Sequence, residues 1–138
     1  PHHNVILVER RQKRAAFLKI VVSQLELSNV RVFNLDVTEL KDNQVDVVTA
    51  MAVGSFGLLY SLTRHLHGQN ILLVSKKGLV YQGELEDLQA FTGLRLDAVR
   101  SIPLKTNISS PSDIVSRETI YGNVIAVRLL GGRECKKV

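Results

Sequence analysis

Short apolar runs alternate with amphipathic stretches along this chain, and that alternation constrains its fold more than any other feature. Val5-Ile6-Leu7-Val8 is continuous, rich in β-branched residues and closed by Glu9, the pattern of a strand buried on both faces. A helical stretch follows over roughly residues 13–27, where Phe17, Val21 and Leu25 recur every fourth residue beside Leu18 and Val22, and Ser28-Asn29 supplies the break. Residues 30–33 form a second strand, a polar stretch carries Asp36, Thr38 and Glu39, and residues 45–49 form a third strand. Ser55 is placed to cap a helix that runs to about His67, with Gly68 as its stop. Residues 71–75 make a fourth buried strand, closed by Lys76-Lys77-Gly78, and a short helix over 84–90 ends at Gly93.

The remainder changes character. Residues 94–99 alternate apolar and polar, as residues 124–129 do more loosely, which marks antiparallel strands with one wetter face. Between them, residues 106–113 are rich in Ser and Asn, carry Pro111 and read as an exposed loop. The order β-α-β-β-α-β-α followed by β-β implies an α/β fold: a mostly parallel, Rossmann-like sheet that ends in an antiparallel pair. That ending distinguishes a methyltransferase-type sheet from a plain dinucleotide-binding one. Its length of 138 residues and its 45% apolar content suit one domain with a real core. The chain opens on Pro1 and reaches a strand within four residues, so residues 1–138 are expected to be a single domain incomplete at its N-terminal side.

Charge and cysteine content narrow the function. Eighteen basic residues against thirteen acidic ones give +5, which suits either a polyanionic partner or a solvated basic surface. Arg10, Arg11, Lys13, Arg14 and Lys19 crowd one segment, and Arg133, Lys136 and Lys137 crowd the end. Every apolar segment is interrupted well short of a membrane span, and no secretory leader is visible, so a cytoplasmic location is expected. Cys135 is the single cysteine and reads as a surface thiol. His65 and His67 lack the spacing of helical zinc ligands, His2 and His3 lie at a frayed terminus, and no metal is expected.

Glu9 carries the most chemistry. An acidic residue at the end of such a strand would accept both hydroxyls of a cofactor ribose; the alternative is a carboxylate that caps the strand or pairs with Arg10 or Lys13. The run Leu7-Val8-Glu9-Arg10-Arg11-Gln12-Lys13-Arg14-Ala15-Ala16-Phe17-Leu18, followed by Leu27-Ser28-Asn29-Val30, resembles the bacterial small-subunit rRNA guanine-N7 methyltransferases, also known as glucose-inhibited division protein B. The resemblance continues through Asp36-Val37-Thr38-Glu39, residues 46–56 and Lys77-Gly78, and it covers nearly the whole chain.

This resemblance implies S-adenosylmethionine as cofactor, small-subunit rRNA as partner and the N7 of a guanine as methyl acceptor. By position it assigns Glu9 to the cofactor ribose, Val37 and Thr38 to the adenine, and Met51 to a cofactor position where the family usually has Arg. Lys77, at the family's Lys-Gly on the substrate side, is expected to meet RNA; the clustered charges Arg10, Arg11 and Arg14 are expected to meet RNA phosphates or to be solvated on the outer face of the helix. The sequence also departs from the pattern. The family's glycine-rich turn is absent, Asp36 stands where Arg is usual, and Thr38 stands where Glu is usual. The missing strand would be central, so either upstream residues supply it or the strand at Val5 pairs directly with that at Val45, the first being favoured. A second function, a non-catalytic relative that binds RNA or protein through the retained scaffold, therefore stands beside the enzyme.

Overall fold

A computed structural model of the chain describes residues 3–41, 44–79, 81–108 and 117–130. By its internal contacts the chain divides into two compact units, Pro1–Asn43 and Gln44–Val138, where the sequence suggests one domain.

The first unit is a β-α-β element. β1 (Val5–Val8) pairs in parallel with β2 (Val30–Phe33), with Val5 opposite Val30 and Val8 opposite Phe33. The connection is α1 (Gln12–Gln24), which packs against β2 and buries Ala15. The expected apolar stripe is covered only in part: Leu18, Val21 and Val22 are half-buried beside the buried Ala15, whereas Phe17 and Leu25 are more than 60% exposed. Spacings of three and four put that set on one helix face, and the small Ala15 lets the helix approach its support closely.

α1 also ends three residues before the expected boundary. Glu26 takes φ 51°, the Glu26 amide bonds to the Ser23 carbonyl at 3.2 Å, and the Leu27 amide bonds to the Val22 carbonyl at 3.1 Å. This is the paired closure that usually carries glycine at the left-handed position. Because Glu occupies it here, the stop has no glycine to reveal it in the sequence.

The second unit is a four-stranded sheet in the order β3-β4-β6-β5, with β3 (Val45–Ala50) parallel to β4 (His67–Lys77) and the pairs β4–β6 and β6–β5 antiparallel. β5 spans Arg95–Ile108 and β6 spans Arg117–Leu130. Strict alternation buries Ile71 and Leu73 of β4 with Ile125, Val127 and Leu129 of β6. α2 (Phe56–Thr63) and α3 (Gln82–Thr92) pack on each other and complete this core with Phe56, Leu59 and Leu88. The methyltransferase-type ending expected from the alternation is therefore present. Val5 and Val45 do not pair: β1 and β3 belong to different sheets among the described residues.

Other boundaries differ from the sequence reading as well. α2 stops at Thr63, a 3₁₀ turn follows at Arg64–Leu66, and Gly68 lies inside β4 rather than ending a helix. The β5–β6 strands also take in residues 106–108, expected as loop, because Thr106, Asn107 and Ile108 find partners in Thr119, Glu118 and Arg117. Cross-strand pairing outweighs the local preference of Asn there. Pro111, the remainder of that loop, Arg133, Cys135, Lys136, Lys137 and His2 lie outside the described residues.

The close pairing of β4 with β6 at the end of β4 depends on Gly122. A Cβ at this position would lie 2.6 Å from the Lys77 carbonyl oxygen, a backbone atom that cannot rotate away. Gly122→Ala is expected to destabilise the chain by about 1–3 kcal/mol, the usual cost of overpacking, read as a lower urea midpoint. An unchanged midpoint would show that the strands part there at no cost.

Candidate cofactor site

Because β1 and β2 run parallel in register, they finish together, and Glu9 and Asn34 emerge side by side at their carboxyl edge. The Glu9 amide extends the ladder to the Phe33 carbonyl at 3.1 Å. Asn34 then pins the backbone across the edge: its Nδ2 donates to the carbonyls of Glu9 at 2.9 Å and Arg10 at 3.1 Å. Sequence reasoning missed Asn34. Its signal was a side-chain amide with two donors directly after an apolar strand.

The Glu9 carboxylate accepts the Arg11 amide on Oε1 at 2.8 Å, while Oε2 lies 4.0 Å from an Arg14 guanidinium nitrogen. Its charge therefore sits at the start of α1, where unpaired backbone N–H groups favour an anion. The pairing partners are Arg14 and the backbone, not Arg10 or Lys13 as the sequence alternative had them. The side chain stays 23% exposed, whereas that of Arg14 is 65% exposed. Arg10 and Arg11 are exposed as well.

Past β2, Asp36 caps a 3₁₀ turn at Val37–Glu39. Asp36 Oδ1 accepts the Thr38 amide at 3.1 Å and the Thr38 hydroxyl at 2.8 Å. Those two bonds, the amide first, hold the Asp36 carboxyl below its ordinary pKa; slight burial opposes them and the charge of Arg10 adds to them. Val37 stays half-buried. The structure thus brings Glu9, Val37 and Thr38 to one edge of the first unit, with Arg10, Arg11 and Arg14 beside them in the chain.

The remaining two candidates belong to the second unit. Met51 follows β3 and is 72% exposed. Lys77, expected to face RNA, ends β4 with its side chain only 6% exposed. Its ammonium lies 2.7 Å from Glu84 Oε2, donates to the Gly54 carbonyl and sits 4.6 Å from the Phe56 ring centroid. A phosphate cannot reach it without opening these contacts.

Among the described residues no helix is long and apolar enough to cross a membrane, and no three His, Cys, Asp or Glu side chains gather as a metal site. His65 is exposed in the 3₁₀ turn. His67 opens β4, half-buried, with its ring parallel to that of Tyr60 at a centroid distance of 6.4 Å.

Comparison with known proteins adds the family. The family described as "GidB: rRNA small subunit methyltransferase G" matches residues 1–108. The chain belongs to this family. A Ribosomal RNA small subunit methyltransferase G from Aliarcobacter butzleri is 38% identical over 81 residues, covering 59% of this chain and 42% of the relative. Another, from Neisseria meningitidis, is 33% identical over 88 residues, covering 64% of this chain and 42% of the relative. The chain thus spans less than half the length of these rRNA small subunit methyltransferase G relatives.

Solved structures agree on the fold. The chain is similar to M. jannaschii TYW2 in complex with AdoMet, with a TM-score of 0.67 at 13% identity, covering 93% of this chain and 58% of that one. It is also similar to the tRNA (m1A58) methyltransferase TrmI from Aquifex aeolicus, with a TM-score of 0.65 at 9% identity, covering 94% and 54%. The fold is that of Rossmann-like S-adenosylmethionine-dependent methyltransferases.

His67 gives this family member a pH dependence. The Thr63 hydroxyl donates its one proton to the Leu59 carbonyl at 2.8 Å, so it can only accept from His67 Nε2 at 2.9 Å. The proton therefore sits on Nε2, and Nδ1 is a buried lone pair with no partner among the described residues. Burial first, and the charge of His65 second, lower the His67 pKa. A lowered histidine pKa gives stability that is complete above the unfolded value of 6.5 and is lost as pH falls through the folded value. Urea midpoints measured below pH 6.5 are expected to fall less for His67→Phe than for the wild type. Identical slopes would remove His67 from the account.

Proposed function

We propose that the chain holds S-adenosylmethionine at the carboxyl edge of β1 and β2, as part of an enzyme that methylates N7 of a guanine in small-subunit rRNA. The observation that carries this reading is the Glu9 carboxylate, held at that edge by Asn34 and the start of α1. A carboxylate offers about four acceptor sites, and the Arg11 amide takes one of them. The remainder fit the two hydroxyls of a ribose. Val37 offers an apolar surface to the adenine, and Thr38 stands beside it with its hydroxyl directed to Asp36.

The cofactor's sulfonium would supply the methyl group. The work left to the protein is positioning. A guanine N7 already carries its lone pair in the ring plane, so no strong base is needed; what would remain is to bring N7 and the methyl carbon that the bound cofactor would supply into line. Holding the two atoms in line supplies most of the rate. Arg10, Arg11 and Arg14, exposed beside Glu9, would steer and hold the RNA phosphates.

Met51 and Asp36 favour a second reading. Each replaces an Arg usual in the family, and Met51 cannot pair with a phosphate or carboxylate. A chain that keeps the scaffold and binds RNA without transferring methyl groups would carry these residues too.

Calorimetric titration with S-adenosylmethionine tests the cofactor site. Glu9→Ala is expected to weaken binding by about 10–100-fold, the worth of hydrogen bonds to a charged group. Equal affinities of wild type and variant would refute the role of Glu9. For the RNA, replacing Arg10, Arg11 and Arg14 together with Ala is expected to flatten the slope of log affinity against log salt by about 2–3, near 0.7–0.9 per lost phosphate contact. An unchanged slope would place the RNA elsewhere.

A further inference from the structure

α2 and α3 lie side by side with their starts together. The Phe56 amide donates to Glu84 Oε2 at 3.2 Å near one end, and the rings of Tyr60 and Phe91 meet edge to face at a centroid distance of 6.5 Å near the other. Each helix turns one stripe toward the seam between them. α2 supplies Leu58 and Ser61, and α3 supplies Glu84, Asp87 and Phe91, at spacings of three and four that keep each set on one face. Between the stripes runs an open groove of about 330 Å³, lined by residues of the second unit.

Two features of the lining point to a partner. Leu58 is 47% exposed and Phe91 is 64% exposed, so two large apolar side chains border one concavity. Single exposed apolar groups are ordinary, but apolar groups that meet in a groove rimmed by polar ones mark a surface that another molecule covers. The second feature is charge. α2 holds no charged residue, and α3 holds Glu84, Glu86 and Asp87 with no Lys or Arg, in a chain whose formal charge is +5. Glu84 is already paired with the buried Lys77 at 2.7 Å. Asp87 is exposed and has no ion-pair partner among the described residues.

An uncompensated carboxylate thus flanks an apolar pair. A phosphate backbone would meet like charge there, so RNA does not suit the groove, and its volume holds a few side chains. We propose that the groove between α2 and α3 docks a basic peptide segment of a partner protein, with an aliphatic or aromatic side chain between Leu58 and Phe91 and a neighbouring Lys or Arg on Asp87. Burial of the two exposed apolar groups supplies the affinity, and the charge pair sets the register of the segment. The proposal is independent of the cofactor reading, because it uses no residue of the first unit.

The test titrates the full chain with the fluorescently labelled peptide Gly-Arg-Lys-Leu-Lys-Arg-Gly, read by anisotropy and by amide proton–nitrogen spectra. Two control peptides carry Ser in place of the Leu, or Glu in place of every Lys and Arg. The basic peptide is expected to bind saturably with a Kd below about 1 mM and to shift Leu58, Asp87 and Phe91. Asp87→Lys and Phe91→Ser change exposed side chains, so both are expected to keep a Tm near that of the wild type. Each is expected to weaken the peptide by at least about tenfold, as is each control peptide against the wild type. Absence of saturable binding would overturn the proposal, and so would an acidic peptide that binds equally well or unchanged affinity in both variants. A short single-stranded RNA that displaces the peptide and shifts the same residues would overturn it too, and would make the groove a nucleic-acid surface.

Discussion

The parallel register of β1 and β2 is the constraint on which the candidate site depends. With Val8 opposite Phe33, the next residue of each strand must leave the sheet at the same edge. Glu9 and Asn34 become neighbours there although 25 positions separate them. A shift of one residue would turn each side chain to the opposite face and separate the carboxylate from the amide that pins its backbone. The start of α1 then sets the electrostatics, since the Arg11 amide and the Arg14 guanidinium both face the Glu9 carboxylate.

The second unit solves a different problem. Lys77 brings a charge into a region closed by Phe56, and its desolvation must be offset by good partners. Glu84, the Gly54 carbonyl and the aromatic face supply them from three places in the chain. Gly122 is the geometric counterpart, because β6 runs close beside the same residue of β4 and leaves no room for a side chain. One position, the end of β4, thus joins the sheet to α2, α3 and the loop after β3.

Much of the fold was legible in the sequence. β-branched runs of four to six residues named β1, β2 and β3 nearly to the residue, and Gly93 ended α3 through its left-handed φ of 65°. The methyltransferase-type ending followed from alternation alone. The misreadings have specific causes. Phe17, Val21 and Leu25 recur regularly, but of the three only Val21 is covered, together with Ala15, Leu18 and Val22, and periodicity cannot say how far round the helix the covered face extends. Lys77 was expected at RNA because Lys77-Gly78 matches the family's Lys-Gly on the substrate side, and only tertiary structure reveals its ion pair with Glu84. Asn34 was invisible as a site residue for the same reason: its partners are carbonyls 24 and 25 positions away.

The carboxyl edge of β1 and β2 is proposed here as a cofactor site. Amide proton–nitrogen correlation spectra of the full chain, recorded while S-adenosylmethionine is added, test it most directly. Saturable shifts are expected that include Glu9, Arg10 and the residues from Asn34 to Thr38. Saturable shifts that leave all of these unmoved, or no shifts at all, would contradict it.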